Sequence, residues 1–426
     1  MHSYIKIKYI VLNLTVLILF YGLACGQNTI VTSRGENKKF PLAAVKTSPT
    51  ESGIKTTGLP QTHQKWEQLF SSAEESIDIG MFYMISKDNS RLEDIISIIK
   101  EKARQGVKIR VVTDNVFYRN YPDIPDELSR LENSSVKIID LDSLTGGVMH
   151  AKYFIIDRSH FYAGSANFDW RSLEHICEIG IGGTDQNIAG DLTKIFDIDY
   201  KIAKGENPED METRFHSDSS PDYEKLHHTS PNLKSWGTQI TATPPVITPE
   251  NIILTEELII KLINTARNNI FINMFQYGLT SSYAPGYYDH IDRALRRAAS
   301  QGVNIEFLVS DWALTEHQQV HLKSLQVIPQ IEIRYTQIPR AKEGFIPFAR
   351  VDHSKLMIVD GQAAWVGSSN WQPGYFDQSR NVGLVIDSKE KIKELARYFK
   401  TTWDSDYAHF LKIDHQYSPP ARVKGD

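Results

Sequence analysis

A ten-residue pattern occurs twice in this 426-residue chain, and the two copies match position by position. The copies are Val148-Met-His-Ala-Lys-Tyr-Phe-Ile-Ile-Asp157 and Val351-Asp-His-Ser-Lys-Leu-Met-Ile-Val-Asp360. In each copy Gly-Ser-x-Asn begins 14 residues after the histidine, and His150 and His353 are 203 residues apart, as are the other matched positions. One copy would be weak evidence. Two copies at a constant spacing predict that the fold is an internal duplication.

The segments around the two copies predict the same order of strands and helices. Each half begins with a helix, followed by a strand, a second helix, a strand that starts directly after a glycine, and then the repeated pattern. Strands that alternate with helices favour an α/β fold with helices on both faces of each sheet. We therefore predict two α-β-α sandwich halves, residues 61–203 and 249–420, related by a pseudo-two-fold axis.

Two segments outside these halves differ in composition. Residues 27–60 are rich in Thr, Ser, Lys and Gly and are predicted to form an extended lead-in. Residues 204–248 contain several prolines, which fix φ and interrupt regular strand pairing, so they are predicted to be a linker. We expect the linker to be an ordered loop and not a third core.

Residues 1–26 carry the features of a targeting segment. Lys6 and Lys8 precede an apolar run, Tyr9 to Ala24, and small residues follow it. This order is typical of a secretory signal peptide, and the run is short for a membrane-spanning helix of about 20 residues. An uncleaved signal anchor and lipoprotein processing at Cys25 are the alternatives. We expect an exported protein, in a secretory or lysosome-like lumen, outside the cell or in a periplasm, and an anchor would attach it to a membrane.

Composition excludes several classes of protein. Apolar residues make up 41% of the chain and charged residues 23%, as in an ordinary soluble protein. The net charge of −5 gives no basic field of the kind that a protein wrapping duplex DNA carries. With only Cys25 and Cys177, the chain lacks the disulfide framework that stabilises many exported proteins.

Histidine and lysine stand two residues apart in each copy. Residues i and i+2 of a strand lie on the same face, so His150 and Lys152 are predicted to point the same way, as are His353 and Lys355. Cleavage of a phosphodiester needs a nucleophile on one side of phosphorus and a proton donor at the leaving oxygen on the other side. Two halves that face each other would supply both groups. This predicts one phosphodiester-cleaving active site at their interface.

The residue types indicate a role for each group. One neutral histidine attacks phosphorus and forms a phosphohistidine, while the other histidine, protonated, donates to the leaving oxygen. The non-bridging oxygens would be bound by the lysines and by the asparagines of Gly-Ser-x-Asn: Lys152, Lys355, Asn167 and Asn370. Asp157 and Asp360 complete the candidate catalytic motif, but we expect them to fix loops and lysines. Because no cluster of His, Asp or Glu has metal-ligand spacing, we predict no metal and no cofactor.

One difference between the halves bears on which histidine is the nucleophile. Glu178 lies 28 residues after His150, whereas Asn381 lies 28 residues after His353. A carboxylate that accepts a hydrogen bond from an imidazole fixes its tautomer and raises its basicity. We therefore predict that Glu178 orients His150 as the nucleophile and that His353 is the general acid. A purely structural role for Glu178 and the reverse assignment of the histidines remain open.

Beyond the duplicated motif, longer stretches resemble one known family. They are Val148-Met-His-Ala-Lys152, His160-Phe-Tyr-Ala-Gly-Ser-Ala-Asn-Phe-Asp-Trp-Arg-Ser-Leu173, Asp191-Leu-Thr-Lys-Ile-Phe196, Ala349-Arg-Val-Asp-His-Ser-Lys355, Gly367-Ser-Ser-Asn-Trp371 and Trp403-Asp-Ser-Asp-Tyr-Ala-His409. The chain resembles the phospholipase D superfamily, defined by a duplicated His-x-Lys-x4-Asp motif, and within it the lysosomal acid exonucleases. The resemblance implies a 5′-to-3′ exonuclease on single-stranded DNA or RNA that leaves 3′-phosphate mononucleotides through a phosphohistidine. Those relatives have several disulfides, which this chain lacks, so a bacterial exported protein also fits.

The substrate is a nucleic acid or a phospholipid. Aromatic residues beside the motifs, among them Trp170, Trp371 and Tyr375, suit single-stranded nucleic acid because bases stack on aromatic rings. Trp170 and Trp371 join the candidate substrate-binding set of Asn167, Asn370 and Glu178, although both tryptophans fit equally well as packing between the halves. A glycerophospholipid presents the same phosphodiester, so a phospholipase D or phosphatidyl transferase is the second hypothesis. A non-catalytic membrane-associated protein is the third.

Overall fold

Each copy of the repeated pattern forms the middle strand of its own sheet. The structure is a computed structural model that describes residues 39–54, 58–216, 237–281, 284 and 286–423. Both sheets belong to one compact unit, Phe40–Asp426. The predicted targeting segment lies outside the described residues. Among those that are described, none of the helices combines the length and the apolar composition that a bilayer crossing requires.

The first half has nine strands and seven helices in the described part of the chain. Its strands are β1 (Ala43–Thr47), β2 (Ser76–Met81), β3 (Met84–Ile85), β4 (Lys108–Asp114), β5 (Ser134–Ile139), β6 (Lys152–Ile156), β7 (His160–Gly164), β8 (Phe168–Asp169) and β9 (Glu178–Thr184). Its helices are α1 (Thr62–Ser71), α2 (Arg91–Arg104), α3 (Asn115–Tyr118), α4 (Asp123–Ser129), α5 (Leu141–Thr145), α6 (Trp170–Glu174) and α7 (Gln186–Ala203). Strands and helices are interspersed along the chain, although β6, β7 and β8 follow one another without a helix between them.

The second half repeats this arrangement over its described residues. Its strands are β10 (Gln239–Thr243), β11 (Ile253–Leu254), β12 (Asn269–Met274), β13 (Asn304–Ser310), β14 (Ile331–Thr336), β15 (Lys355–Val359), β16 (Ala363–Gly367), β17 (Asn381–Ile386) and β18 (Ala408–Phe410). Its helices are α8 (Thr255–Thr265), α9 (His290–Ser300), α10 (Glu316–Gln326) and α11 (Lys389–Trp403). Short 3₁₀ turns occur at Pro208–Asp210, Arg214–His216, Pro245–Ile247 and Asp311–Ala313.

The two large sheets have matching strand orders. The first is β1-β9-β7-β6-β2-β4-β5 and the second is β11-β10-β17-β16-β15-β12-β13-β14-β18, so β6 and β15 are central. Each central strand runs antiparallel to its neighbour, β2 or β12, and parallel strands follow on that side. The register agrees as well, since Lys152 pairs with Met81 and Lys355 pairs with Met274. The predicted α/β fold with two related halves is confirmed.

Alternation along the central strands builds a core on both faces of each sheet. Ile155 of β6 faces a core that both halves share, whereas its neighbour Phe154 faces the core of the first half alone. In β15 Ile358 faces the shared core and Met357 faces the core of the second half. Residues of α7 and α11 also lie in the shared core, so helices cover both faces of each sheet. The halves are therefore joined by an apolar interior.

Two strands lie in segments that the sequence placed outside the halves. β1 lies within residues 27–60 and pairs antiparallel with β9, and β10 lies within residues 204–248 and pairs antiparallel with β17. The predicted boundaries are therefore wrong, because the lead-in contains β1 and the linker contains β10, and both strands belong to the sheets. The reason is that a five-residue strand carries little pattern of its own, and its pairing depends on partners far away in the sequence.

Candidate active site

A cleft of about 580 Å³ lies between the two halves and contains the predicted histidines and asparagines. His150 and Asn167 line it from the first half, and His353 and Asn370 line it from the second half. All four side chains are nearly buried. Oδ1 of each asparagine has no hydrogen-bond partner within the described part of the chain. The structure thus brings these four predicted site residues together.

Backbone hydrogen bonds across the interface hold the two histidine-bearing segments. Cys177 donates to the carbonyl of Val351 at 2.9 Å, and His353 donates to the carbonyl of Cys177 at 2.9 Å. At the matching place Arg380 donates to the carbonyl of Val148 at 2.9 Å. Each histidine precedes its central strand by two residues, rather than lying on it as predicted. The position of His353 is fixed by the residue directly before β9, and that of the His150 segment by the residue directly before β17, in each case from the opposite half.

His353 is oriented by a carboxylate from the other half. Its Nδ1 lies 3.0 and 3.1 Å from the two oxygens of Glu178, which is fully buried. Glu178 also accepts hydrogen bonds from the hydroxyls of Ser165 at 2.5 Å and Ser172 at 3.0 Å. An ionised carboxylate has only acceptor atoms, so Nδ1 of His353 carries the hydrogen and Nε2 carries the lone pair.

His150 is oriented by an amide in place of a carboxylate. Its Nδ1 lies 2.9 Å from Oδ1 of Asn381. The orientation of the Asn381 amide is fixed, because its Nδ2 donates to the carbonyls of Tyr375 at 2.8 Å and Ser379 at 3.3 Å. The hydroxyl of Ser368 also donates to Oδ1 at 3.0 Å. Nδ1 of His150 is therefore a donor as well, and Nε2 is left for chemistry.

The prediction that Glu178 orients His150 is wrong, because Glu178 contacts His353. Glu178 and Asn381 each follow the histidine of their own half by 28 positions. However, β9 and β17 begin at the interface, and each presents its first side chain to the histidine of the opposite half. A repeat aligns equivalent residues but does not show whether contacts form within a copy or between copies. The carboxylate that raises the basicity of an imidazole therefore favours His353, and not His150, as the nucleophile.

The two lysines of the motif are fully buried beside the histidines. Lys152 donates to the backbone carbonyl of His150 at 2.5 Å, and Lys355 donates to that of His353 at 2.7 Å. Each ammonium also lies 4.9 Å from the centre of a phenyl ring, of Phe82 in the first half and of its counterpart in the second. The halves thus carry matching His-Lys-Phe groups, of which the histidine and the phenylalanine line the cleft while the lysine lies behind them.

Burial favours the uncharged form of each titratable group in the site. It lowers the pKa of Lys355 to about 7, against the opposing charge of Glu178. It lowers the pKa of Lys152 well below its usual range, and the charge of Lys355 adds to this effect. The pKa values of His150 and His353 fall well below 6.5 because of burial and then the two lysines. Burial raises the pKa of Glu178 to about 7. An anionic phosphodiester among these groups would favour the charged lysines and histidines.

Asp157 and Asp360 lie outside the cleft, in the turns that follow the central strands. Asp157 accepts hydrogen bonds from three successive backbone N–H groups, of residues 74–76, at 2.8–2.9 Å. Asp360 accepts from those of residues 267–269 at 2.7–2.8 Å. Both aspartates have positive φ, 50° and 51°. Each carboxylate therefore fixes the turn that leads into β2 or β12, while the lysines donate to the histidine carbonyls instead.

The two tryptophans in the candidate substrate-binding set do not line the cleft. Trp371 is 2% exposed and packs in the core of the second half, where its ring lies 6.1 Å from that of Phe307. Trp170 lies in a separate depression, with its ring 5.2 Å from His175 and under the ammonium of Lys87 at 4.7 Å. Their assignment as substrate-binding residues is wrong, because proximity to the motif in sequence did not place either ring in the cleft.

Sequence reasoning missed most of the aromatic side chains that do line the cleft. They are Phe82, Tyr83, Phe117, Tyr121, Phe275, Trp312 and Phe348. Tyr375 also lines it and meets the His150 ring edge-on at 5.0 Å. Phe82 and Phe275 carried a signal, because each directly follows the strand that pairs with the motif strand. The other rings lie in α3, in the 3₁₀ turn Asp311–Ala313 and in loops, and the two halves do not share the sequences of these segments.

Both halves of the chain match the model of one known family. A family model described as "Cardiolipin synthase, PLD-like domain" matches residues 67–200 and 259–403, more than half of the chain. The chain belongs to the phospholipase D-like family. Each matched range includes one copy of the repeated motif, so the two matches correspond to the two halves. This phospholipase D-like protein is therefore a phosphodiesterase, as the sequence predicts.

Relatives of this phospholipase D-like protein include exonucleases. It is 29% identical over 388 residues to "5'-3' exonuclease PLD3" of Macaca fascicularis, across 84% of this chain and 77% of the relative. It is 30% identical over 386 residues to the protein of the same name from Xenopus tropicalis, across 82% of this chain and 76% of the relative. Phosphatidylserine synthase of Haemophilus influenzae is similar in structure, with a TM-score of 0.56 at 14% identity over 82% of this chain and 85% of that one. That likeness concerns the fold alone.

Proposed function

We propose that this phosphodiesterase is a metal-independent 5′-to-3′ exonuclease on single-stranded DNA or RNA. The proposal is carried by two buried histidines, His150 and His353, that line one cleft from opposite halves with different hydrogen-bond partners. Relatives named as 5′-3′ exonucleases align with more than four fifths of the chain. The aromatic lining of the cleft also suits nucleobases, which stack on such rings whatever their sequence.

In the first step Nε2 of His353 attacks phosphorus, and the bond from phosphorus to the 5′-oxygen of the second nucleotide breaks. Glu178 accepts a hydrogen bond from Nδ1 and stabilises the positive charge that the ring gains. His150, whose partner Asn381 is neutral, is the weaker base and gives its Nε2 proton to the leaving oxygen. This step yields a shortened strand with a 5′-hydroxyl and a phosphohistidine that retains the first nucleoside through its 3′-oxygen.

In the second step water hydrolyses the phosphohistidine. The neutral His150 removes a proton from a water molecule, whose oxygen attacks phosphorus while the bond to Nε2 of His353 breaks. A nucleoside 3′-phosphate leaves, and both histidines return to their initial protonation states. In both steps the non-bridging oxygens are bound by the buried donors beside the histidines: Lys152, Lys355, Asn167 and Asn370.

The test is to incubate the purified protein with 5′-hydroxyl single-stranded DNA and, separately, with phosphatidylcholine, each with and without EDTA. We expect 3′-phosphate mononucleotides from the 5′ end, in amounts that EDTA does not change, because the lysines supply the positive charge. Within the described part of the chain, no group of three or more His, Cys, Asp or Glu side chains is arranged to hold a metal ion.

The control for a contaminating nuclease is the double variant His150→Ala/His353→Ala. The proposal would be contradicted if the wild-type protein released no nucleotide, or if this variant released as much nucleotide as the wild type. Hydrolysis of phosphatidylcholine without nucleotide release would favour the phospholipase hypothesis. Inhibition by EDTA would contradict metal independence alone.

The pH dependence of kcat/KM follows from the buried groups. As the pH rises, His150, whose pKa lies well below 6.5, loses the proton that the leaving oxygen needs, and Lys355, with a pKa of about 7, then loses its charge. Below neutrality Glu178, whose pKa burial raises to about 7, gains a proton and orients His353 less well. We expect a bell-shaped profile with its maximum on the acid side of neutrality, between the pKa values of His150 and Glu178. The Glu178→Gln variant is expected to lose the acid limb, and a wild-type rate that rises steadily into the alkaline range would contradict the assignment.

We also propose that the protein is exported. The support is the sequence of residues 1–26, where lysines precede an apolar run. Expression in a secreting host, followed by a mass measurement, is expected to give a chain without the first 26 residues or so. A full-length chain retained in the membrane fraction would indicate the signal anchor, and a full-length chain retained in the cytosol would contradict export.

A further inference from the structure

The two walls of the cleft are alike beside the histidines and differ farther out. Phe82 lies 4.8 Å from the His150 ring, and Phe275 lies 4.7 Å from the His353 ring. Beyond this matched pair the first half presents three more rings, which we call the aromatic wall: Tyr83, Phe117 and Tyr121. The symmetric chemistry of the two motifs does not account for the aromatic wall, since it lies on one side only.

The aromatic wall is a continuous surface of rings. Tyr83 and Phe117 are stacked with their centres 5.4 Å apart and their planes at 18°. Phe117 and Tyr121 are 6.5 Å apart at 29°. The hydroxyl of Tyr83 donates to Asp169 at 3.0 Å, which holds the inner end of the wall. All three rings remain partly exposed and line the cleft, so a planar ligand can reach them.

Asp114 fixes the aromatic wall relative to His150. One oxygen of this buried carboxylate accepts hydrogen bonds from the backbone N–H of Val116 at 2.9 Å and of Phe117 at 3.2 Å. The other oxygen accepts from the backbone N–H of Met149, the residue before His150, at 2.7 Å. The wall and the histidine are thus tied to one side chain, which preorganises the distance between them.

On the opposite wall, guanidinium groups already cover aromatic faces. Arg422 lies over the ring of Trp312 at 4.9 Å, and Arg171 lies over the ring of Phe348 at 5.8 Å. Cation–π contacts of this kind occupy a face on which a base would otherwise stack. In the described part of the chain no cation–π contact covers Tyr83, Phe117 or Tyr121, so the His150 side of the cleft is the better suited to stacking with a base.

We propose that the aromatic wall binds the first base of the leaving strand, a proposal that rests on the exonuclease function proposed above. An in-line displacement places the nucleophile and the leaving oxygen on opposite sides of phosphorus. With His353 attacking, the 5′-oxygen departs on the side of His150, and its nucleoside is brought beside Phe117 and Tyr121. Stacking tolerates every base, which suits an enzyme that meets a new nucleotide at each cycle.

Abasic oligonucleotides test this subsite without altering the protein. The values of kcat/KM are compared for three 5′-hydroxyl strands: one intact, one abasic at the second nucleotide and one abasic at the first. Removing a stacked base is expected to lower kcat/KM by about 5- to 150-fold. The wild-type protein should show this loss for the second position and a smaller loss for the first.

Variants then assign the loss to the aromatic wall. Phe117→Leu and Tyr121→Leu are made separately, in case one of them fails to fold. Each should reduce the second-base effect, which is the difference in kcat/KM between the intact strand and the strand abasic at the second nucleotide. The reason is that in the variant the intact strand no longer stacks on the substituted ring. Phe348→Leu on the opposite wall is the matched control and should retain the full effect. Equal kcat/KM for all three strands, or an undiminished effect in both wall variants, would overturn the inference while digestion of intact DNA continued. No digestion of the intact strand would overturn the proposed function as well.

Discussion

The His353→Ala variant is expected to lose at least about 10⁴-fold in kcat on every phosphodiester, because it cannot form the phosphohistidine. The His150→Ala variant is expected to lose about 10²–10⁴-fold on DNA, since the leaving 5′-oxygen no longer receives a proton. The two variants should separate on bis(p-nitrophenyl) phosphate, whose leaving group departs as a stabilised anion. There His150→Ala still completes the first step and then stalls, because the water in the second step lacks its base.

The measurement is a rapid-mixing burst of nitrophenolate. His150→Ala should give a burst of about one equivalent per active site followed by slow turnover, and His353→Ala should give none. The His415→Ala variant, at an exposed position outside the cleft, is the control and should keep wild-type rates. A burst with His353→Ala and none with His150→Ala would restore the assignment that the sequence alone favoured.

The Arg380→Met variant is expected to lose about 3–5 kcal/mol in free energy of unfolding. Arg380 and Asp199 are both fully buried, and the guanidinium donates to both carboxylate oxygens at 2.7–3.0 Å. It also donates to the carbonyls of Thr243 at 2.8 Å and Ile247 at 2.7 Å. Burial raises the pKa of Asp199 and Arg380 opposes this shift, so methionine would leave a buried carboxyl group without its partner. Asp199 lies on α7 of the first half, so the pair also joins the halves.

Urea unfolding followed by tryptophan fluorescence measures this loss. The double variant Arg380→Met/Asp199→Leu should recover part of the stability, because it removes both members of the pair. The control Arg104→Met breaks an exposed pair with Glu101 and should leave the free energy of unfolding nearly unchanged, because solvent screens such a pair. If Arg380→Met changed stability as little as Arg104→Met, the buried pair would not hold the halves together.

The sequence predicted what the duplication preserves. Matched residue types at constant spacing identified the two halves and placed His150 and His353 in one site, because equivalent strands of equivalent folds present equivalent side chains. The structure shows the same equivalence, since Lys152 pairs with Met81 in the first half and Lys355 pairs with Met274 in the second half. Asn167 and Asn370 line the cleft for the same reason.

The sequence did not predict what depends on contacts between the halves. Glu178 follows His150 along the chain but meets His353, because its strand begins at the interface. Trp170 and Trp371 are near the motifs in sequence, yet burial and side-chain direction place both rings outside the cleft. Phe117 and Tyr121 gave no signal because α3 and the segment that follows it have no sequence counterpart in the second half. Each of these outcomes depends on packing between distant segments, which periodicity and spacing do not encode.

We propose that the histidine held by Glu178 is the one that attacks phosphorus. The direct measurement is to quench the wild-type enzyme with alkaline denaturant during turnover of single-stranded DNA, digest it, and locate the bound phosphoryl group by mass spectrometry. We predict a nucleoside phosphoryl group on the peptide that contains His353. The same group on the peptide that contains His150 would contradict the account.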